Sequence, residues 1–452
     1  MEGCGVRVVS RRLFRASAPS MEPHVMAVSN LDLFSNLVQL SMVCVYPKPK
    51  PSGAGDTFQG IVATFETHLP AYLNYFFPLA GRILVDPISG LPEIHCYNQG
   101  AELIVADAGV ELQALDWGLT EGSVRAIMVP YAAEVALSVQ LVSFSCGGFA
   151  VVWATNNLIG DGNVMVMMVR MWSELVRTGS ISEDGVPNHD RSVFRPRERP
   201  WYGPAVAKMF TRWEQEQEVN ALTVEESFVE RLYYVEARDI AMLRGKSGGT
   251  RVQALSAYLW KLLAGMVAKS KLLSEGEKRC RMIWWVDGRR RLRLSPSLRN
   301  YVGCVTAYAL GEAAAATVLS APLAGVADMV REAITAVDYE ELYQQMVDYM
   351  EVHKPGRYYE AATVGLGGAT LGQTYWSSFP NDSDFGFGQA GLAMPVHGCL
   401  GRMCMGLMCI AAKPGDPETF ILSAYVWRRM AAALDSDEQG IFKPLTAEYL
   451  GL

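Results

Sequence analysis

The sequence predicts an α/β fold divided into two domains, and three observations support this prediction. The chain has 452 residues, which is longer than a chain that folds around a single hydrophobic core, and this length indicates two domains of roughly 200 residues. Its residues are 50% hydrophobic and 19% charged, as is typical of a globular protein. A buried strand-like run followed by an amphipathic helical pattern at 149–175 indicates mixed α/β structure. A proline-interrupted stretch from 187 to 223 is typical of a crossover. We therefore expect an N-terminal domain at 1–190, a linker at 191–223 and a C-terminal domain at 224–452.

Charge and cysteine content narrow the class of protein. The formal net charge of -7 gives no electrostatic reason to expect nucleic acid or an anionic membrane as a partner. The chain has no charged residue between Glu134 and Asp161, but a Gly-Gly turn and internal polar residues favour buried strands over a membrane helix. Nine scattered cysteines, an odd number, favour a reducing compartment, and their spacing matches no zinc site. We expect a monomeric cytoplasmic protein without a metal.

The N-terminal elements follow from local patterns of apolar and turn-forming residues. The expected elements are a strand at Val6–Phe14, a strand at Val38–Tyr46, a helix at Phe58–Tyr75 and a strand at Glu102–Val105. Between the last two, Pro78 and Gly81 end the helical region and turn the chain toward a strand.

The central stretch of the chain is the one around which the rest is organised. An apolar run at Phe149–Ala154, preceded by a Cys-Gly-Gly turn, predicts a β-hairpin with Leu137–Phe144. Just beyond Asp161 the apolar residues recur at helical spacing, so a helix begins there with Asp161 or Asn163 as its N-cap. Residues 156–162 therefore form a loop between a buried strand and a helix, where functional side chains are often placed.

The C-terminal half predicts a further series of strands and helices. The expected elements are a short helix near Lys208–Val219, a strand at Val229–Val235, a helix at Val252–Lys269, a strand at Met282–Val286 and a long helical region at Leu323–Val352. The glycine-rich segment Gly365–Gly372 lacks the strand-loop-helix context of a dinucleotide site, so we predict a flexible surface loop there.

Five strings match motifs of one protein family in the same order along the chain. They are PLAGR at Pro78–Arg82, NLIGDG at Asn157–Gly162, DGR at Asp287–Arg289, NYVGCV at Asn300–Val305 and DFGFG at Asp384–Gly388. On these strings the chain resembles the plant BAHD acyltransferases, which are acyl-CoA transferases of HxxxD type. Three positions depart from the family pattern: Asn157 replaces the His of H-x-x-x-D-G, Cys304 replaces the Asn of Y-x-G-N, and Phe387 replaces the Trp of DFGWG.

The resemblance implies an α/β fold of two mixed-sheet domains of chloramphenicol-acetyltransferase-like type with an interdomain channel. Acyl-CoA would enter the channel at one face as a co-substrate, with no permanently bound cofactor. The acceptor would be an alcohol or amine of a small plant metabolite, and hydroxycinnamoyl groups are among the acyl groups that the family transfers.

The resemblance also implies roles for individual residues. Asp161 would be structural and hold the loop, and Arg289 would reach across to lock it. The DFGFG motif would be structural and shape the cofactor channel, through Asp384, Phe385, Gly386, Phe387 and Gly388.

Asn157 stands where the family has its general base, and three hypotheses follow. An amide has no basic site near neutral pH; it can orient a water, hold a hydroxyl or donate to an oxyanion. The first hypothesis is a transferase with a weakened or relocated base, which an amine acceptor would need less than an alcohol. The second is a pseudoenzyme that binds ligands in the channel without turnover. The third is a lyase or hydrolase in which Asn157 positions the substrate.

Overall fold

The computed structural model describes residues 5–18, 22–35, 38–49, 57–212, 228–271, 273–364, 368–379, 382–397 and 404–452. In these ranges the strands are β1 (Arg7–Phe14), β2 (His24–Ala27), β3 (Gln39–Tyr46), β4 (Arg82–Val85), β5 (Pro92–Cys96), β6 (Ala101–Asp107), β7 (Leu137–Ser143), β8 (Phe149–Asn156), β9 (Phe210–Arg212), β10 (Phe228–Val235), β11 (Arg279–Asp287), β12 (Thr306–Ala314), β13 (Tyr358–Glu360), β14 (Ala369–Tyr375), β15 (Leu392–His397), β16 (Gly406–Lys413), β17 (Asp416–Trp427) and β18 (Lys443–Pro444). The α-helices are α1 (Phe58–Tyr75), α2 (Gly162–Thr178), α3 (Pro204–Ala207), α4 (Ala237–Ser247), α5 (Arg251–Ala268), α6 (Ala315–Ser320), α7 (Leu323–Thr335), α8 (Tyr339–His353), α9 (Arg428–Asp435) and α10 (Ala447–Leu450). None of these helices is both long and apolar enough to cross a lipid bilayer.

The first main sheet contains the predicted central hairpin. Its six strands follow the order β1-β6-β7-β8-β3-β15, and it is mixed because β6 and β7 are parallel whereas β7 and β8 are antiparallel. Helices α1 and α2 pack on this sheet: the ring of Phe65 lies 4.3 Å from Trp172 of α2 and 5.8 Å from Trp153 of β8. All three rings are buried, so this contact stabilises the first core by removing apolar surface from water.

The second main sheet has seven strands in the order β12-β11-β14-β16-β17-β10-β18. It is also mixed, because β14 is parallel to both of its neighbours whereas β11 and β12 are antiparallel. Helix α5 packs against it, with the rings of Trp260 and Trp284 6.0 Å apart in a second buried core. Two smaller sheets, β2-β5-β4 and β13-β9, complete the described strands.

One strand from the second half of the chain belongs to the first sheet. After β14 the chain leaves the second sheet, adds β15 to the edge of the first beside β3, and returns to the second sheet as β16. The two halves are therefore joined by an exchanged strand as well as by the crossover.

The sequence-based prediction of a helix near Lys208–Val219 is wrong for its described residues. Helix α3 ends at Ala207, and residues 210–212 form β9, which is paired with β13; residues 213–219 lie outside the described ranges. The partner strand is about 150 residues away in sequence, so a local pattern could not indicate this pairing.

Two further sequence-based predictions, of a helix and of a loop, differ from the structure. The helical region Leu323–Val352 is divided into α7 and α8, because Asp338 caps α8 by accepting a hydrogen bond from the backbone N of Glu341 at 3.2 Å. The predicted flexible loop at Gly365–Gly372 is instead buried strand from residue 369 onward, and residues 365–367 lie outside the described ranges. A Cβ on Gly372 would lie 2.7 Å from the Trp285 ring, so this glycine permits close packing rather than flexibility.

Candidate active site

A cavity of about 580 Å³ is lined by residues from both halves of the chain. Asn157 and Asn163 line it from the first half, at the loop before α2. Trp285 and Thr306, on β11 and β12, line it from the second half. The cavity therefore lies where the predicted loop meets the second sheet.

Asp161 caps α2 and joins the loop to the second half. Its Oδ1 accepts a hydrogen bond from the backbone N of Asn163 at 3.1 Å. Its Oδ2 accepts three, from Arg289 Nη1 at 2.8 Å, Val305 N at 2.9 Å and Thr306 Oγ1 at 3.1 Å. A carboxylate with both oxygens occupied by donors is held in place and is poorly suited to accept a substrate proton.

Arg289 is buried and bridges two carboxylates. Its Nη1 lies 2.8 Å from Asp161 Oδ2 and 2.9 Å from Asp287 Oδ1, and its Nη2 donates to the carbonyl of Gly303 at 2.7 Å. Burial works against the charge of Arg289, but the two carboxylates outweigh it, so the pKa of the guanidinium is raised. Burial also raises the pKa of Asp287, although Arg289 opposes that shift. The contact expected between Arg289 and Asp161 is present.

A second buried ion pair holds the same loop. Arg191 Nη1 lies 2.8 Å from Asp32 Oδ2, and the guanidinium donates to the carbonyls of Leu158 and Ile159 at 3.0 and 2.8 Å. The sequence did not indicate this pair, because its members are 159 residues apart and neither lies in a matched string. Two arginines from outside the loop thus hold its backbone and its capping carboxylate.

Asn157 lies at the start of the loop and lines the cavity. Its backbone N donates to the carbonyl of Val38 at 2.9 Å, and its carbonyl accepts from Cys304 Sγ at 3.0 Å. Burial raises the pKa of the Cys304 thiol well above its ordinary value, so this group is neutral. The side-chain Oδ1 of Asn157 is buried without a hydrogen-bond partner in the described part of the chain. Leaving such an acceptor unpaired costs about 1–3 kcal/mol.

The DFGFG motif is packed into the first core, away from the cavity. Asp384 Oδ1 accepts from the backbone N of Gly386 at 2.8 Å and of Gly388 at 3.1 Å, and both glycines adopt positive φ, 104° and 90°. The Phe385 ring is buried against Tyr46, and its centroid lies 5.3 Å from that of Phe387. None of the five motif residues lines the cavity, so the geometry supports a structural role and no direct contact with a ligand there.

Glu360 and His397 are further ionisable side chains that line the cavity, at the ends of β13 and β15. Glu360 Oε2 accepts from Trp285 Nε1 at 2.8 Å, and burial raises the pKa of this carboxyl to about 7. His397 Nδ1 lies 3.6 Å from Cys409 Sγ, and burial lowers the pKa of the imidazole to about 4. Sequence analysis did not identify Glu360, because a glutamate after two tyrosines in a three-residue strand matches no motif.

Comparison with known proteins supports the resemblance over most of the chain. The model of the Transferase family matches residues 4–407. The hydroxycinnamoyl-CoA:piscidic acid hydroxycinnamoyltransferase of Actaea racemosa is 27% identical over 350 residues, covering 70% of this chain and 75% of that protein. The hydroxycinnamoyl-CoA:5-hydroxyanthranilate N-hydroxycinnamoyltransferase HHT1 of Avena sativa is 28% identical over 341 residues, covering 70% and 73%.

A solved structure with the same architecture supports the fold class. F. graminearum TRI101, complexed with coenzyme A and deoxynivalenol, superimposes with a TM-score of 0.74 at 15% identity, covering 93% of this chain and 99% of that one. At this identity the match shows the fold alone, a mixed α/β fold of chloramphenicol-acetyltransferase-like type. With the family model matching from residue 4 to residue 407, the chain belongs to the Transferase family, the BAHD acyltransferases.

Proposed function

We propose that this chain transfers an acyl group from an acyl-CoA to the nitrogen or oxygen of a small plant metabolite, with Asn157 positioning the acceptor. The observation that carries the proposal is the cavity lined by both halves, into which the Asn157 loop is fixed by the Asp161–Arg289 contact. The names of the relatives support it, since they act with hydroxycinnamoyl-CoA on an acid and on an amine.

The cavity has features that suit an acyl-CoA. Arg290 and Arg291 are exposed and line it, so their guanidinium groups can bind phosphate oxygens of coenzyme A. Trp285 and Phe379 also line it, and their rings can offer flat apolar surface to an aromatic acyl group such as hydroxycinnamoyl.

The amide at position 157 favours an amine acceptor over an alcohol. A neutral amine attacks a thioester before it loses its proton, whereas an alcohol needs a base during attack, and a positioned base is worth about 100- to 10,000-fold in rate. Asn157 can hold the acceptor through its unpaired amide oxygen but cannot take its proton. We therefore propose N-acylation as the main reaction.

We also propose that the protein acts as a monomer in the cytoplasm. The seven cysteines in the described ranges carry free thiols, which suits a reducing compartment.

Turnover and binding together test the proposed function. Free-thiol release is measured with a panel of hydroxycinnamoyl-CoA and short-chain acyl-CoA thioesters, each with paired amine and alcohol acceptors, and calorimetry measures coenzyme A binding. We expect binding, and thiol release that is faster with the amine of each pair. Binding without any turnover would establish the channel-binding pseudoenzyme instead. The absence of both would remove the transferase and leave the lyase or hydrolase hypothesis.

A further inference from the structure

We propose that Glu360 recognises the acceptor, binding the ammonium group of a primary amine and taking one proton from it to release the attacking amine. This inference rests on the proposed transferase function and deepens it, because it names the acceptor class and assigns the group that takes the proton of the ammonium form. It is based on the position of Glu360, on its lack of a cationic partner in the described residues, on the groups around it and on the weaker fit of His397.

The first observation is the position of Glu360 in the cavity. It lines the same cavity as Asn157, and its Oε2 is hydrogen-bonded to Trp285 at 2.8 Å. Trp285 and Asp287 alternate to the same face of β11, about 6.8 Å apart along the strand. Asp287 in turn contacts Asn163 and Arg289 of the locked loop region, with 3.3 Å to Asn163 Nδ2. A short series of contacts thus connects Glu360 to the loop.

The carboxylate of Glu360 has no counter-charge in the described part of the chain. No basic side chain there forms an ion pair with it, and its second oxygen, Oε1, accepts no hydrogen bond within those residues. The residue is half-buried and open to the cavity. A buried acid without a cation is costly when ionised, so a cationic ligand that pairs with it gains the interaction that the protein leaves unfilled.

The third observation is that Glu360 titrates near neutral pH in the surroundings that the fold gives it. Burial is the main reason that its pKa is raised to about 7, and the Trp285 hydrogen bond opposes the shift. Tyr308 on β12 faces it, but burial raises the pKa of that phenol, so it stays neutral. The charge of Arg212, on the neighbouring β9, acts instead on Tyr349 and His353.

His397 is the other ionisable candidate, and it fits this role less well. Burial lowers the pKa of its imidazole to about 4, so it is a weaker base at neutral pH than a carboxylate of pKa about 7. Its Nδ1 also contacts Cys409 Sγ at 3.6 Å, and the nearby positive charge of Arg125 disfavours protonation of the His397 imidazole.

The proposed step conserves atoms and charge. The ionised carboxylate of Glu360 accepts a proton from the bound ammonium group, which leaves a neutral amine and a neutral acid in the cavity. The amine nitrogen then forms a bond to the thioester carbonyl carbon, and the carbon–sulfur bond breaks. One of the two protons left on nitrogen passes to the sulfur and the other remains as the amide N–H, giving the amide and free coenzyme A, and Glu360 releases its proton to solvent.

The experiment compares the parent with Glu360→Gln, using phenethylamine and 2-phenylethanol as acceptors of the same shape. Gln keeps an oxygen that can accept from Trp285 but cannot be ionised. We expect kcat/KM for the amine to fall about 100-fold or more and the value for the alcohol to change less than threefold. In the parent, log kcat/KM for the amine should bend near pH 7, and the bend should be absent in Glu360→Gln. Glu66→Gln, on the surface of α1, is the matched control and should behave as the parent does.

A binding measurement separates this inference from the proposed function. Calorimetry of phenethylamine is done on parent and Glu360→Gln at saturating coenzyme A, with coenzyme A affinity and melting temperature as checks on folding. At least tenfold weaker amine binding by the variant supports amine recognition even if the parent has no turnover, in which case the transferase function alone fails. Unchanged amine binding and an unchanged pH profile would overturn the inference, as would a bend near pH 7 that disappears in His397→Gln but persists in Glu360→Gln.

Discussion

At the scale of single residues, the cavity is lined by the amide of Asn157 and by the carboxylate of Glu360. Asn157 Oδ1 lacks a partner and Glu360 lacks a counter-ion in the described residues. The two groups offer complementary functions, one accepting a hydrogen bond without taking a proton and the other able to take it near neutral pH.

Replacing the amide by imidazole tests how the two groups share the chemistry. Asn157→His introduces a side chain with an ordinary pKa of about 6.5 into the cavity. We expect acylation of 2-phenylethanol to rise about 100-fold or more, because an alcohol needs a base during attack. Acylation of phenethylamine should rise by a smaller factor. The rates come from the same thiol-release assay.

A loss of amine acylation in Asn157→His would give Asn157 a direct role in binding the acceptor. If Asn157→His lost amine acylation that the parent performs, the amide itself would be needed to hold the acceptor. The variant's coenzyme A affinity, measured by calorimetry, serves as the control for an intact channel.

At the scale of elements, the loop between β8 and α2 is held by charges from outside it. Arg289 contacts Asp161 at its C-terminal end, and Arg191 contacts the carbonyls of Leu158 and Ile159 in its middle. Buried guanidinium groups with carboxylate and carbonyl partners hold backbone in one geometry, because removing either partner leaves an uncompensated buried group. The position of Asn157 in the cavity is therefore set by the fold around it.

Asp161→Ala should destabilise the protein more than the loss of a helix cap alone. The cap contributes about 0.5–2 kcal/mol, and the carboxylate also balances the buried charge of Arg289, so we expect a loss of roughly 2–5 kcal/mol. Asp338→Ala is the matched control, since Asp338 caps α8 from an exposed position and has no buried arginine partner. Urea unfolding of both variants gives the free energies, and equal losses would show that the contact with Arg289 contributes nothing.

At the scale of the whole molecule, the two sheets share one cavity and one exchanged strand. β15 joins the first sheet although the strands before and after it in the chain belong to the second. Residues of both cores line the cavity, including Leu40 on β3 and Val286 on β11. A ligand in the cavity therefore contacts both halves, and we expect the halves to unfold together.

Coenzyme A should stabilise the folded chain as one unit. At a concentration of 100 times its Kd, a ligand that binds only the folded state adds about 2.7 kcal/mol, so one thermal transition should move up by a few degrees. Replacing both Arg290 and Arg291 by Ala should reduce this shift, because it removes the cations proposed for the phosphates. Differential scanning calorimetry measures it; two transitions of which coenzyme A moves only one would show that the halves are independent.

Much of the fold follows from the sequence because it depends on neighbours in the chain. The apolar spacing from Val164 to Leu175 predicts α2, and the turn before Phe149 predicts the hairpin. Asp161 is recognisable as an N-cap for the same reason, since its partner lies two residues away. These are interactions at short sequence separation, and the residue pattern records them directly.

The remaining features depend on contacts between distant residues, and only the tertiary structure decided them. Glu360 is placed beside Trp285, 75 residues away, by the arrangement of β13 and β11, and burial there sets its pKa. Gly162 reads as a helix start in the sequence, yet a Cβ there would lie 2.6 Å from the Trp376 ring, so its smallness serves a packing contact from the other half. Local sequence determines which elements form, whereas desolvation and charge pairing in the cavity arise only when the two sheets meet.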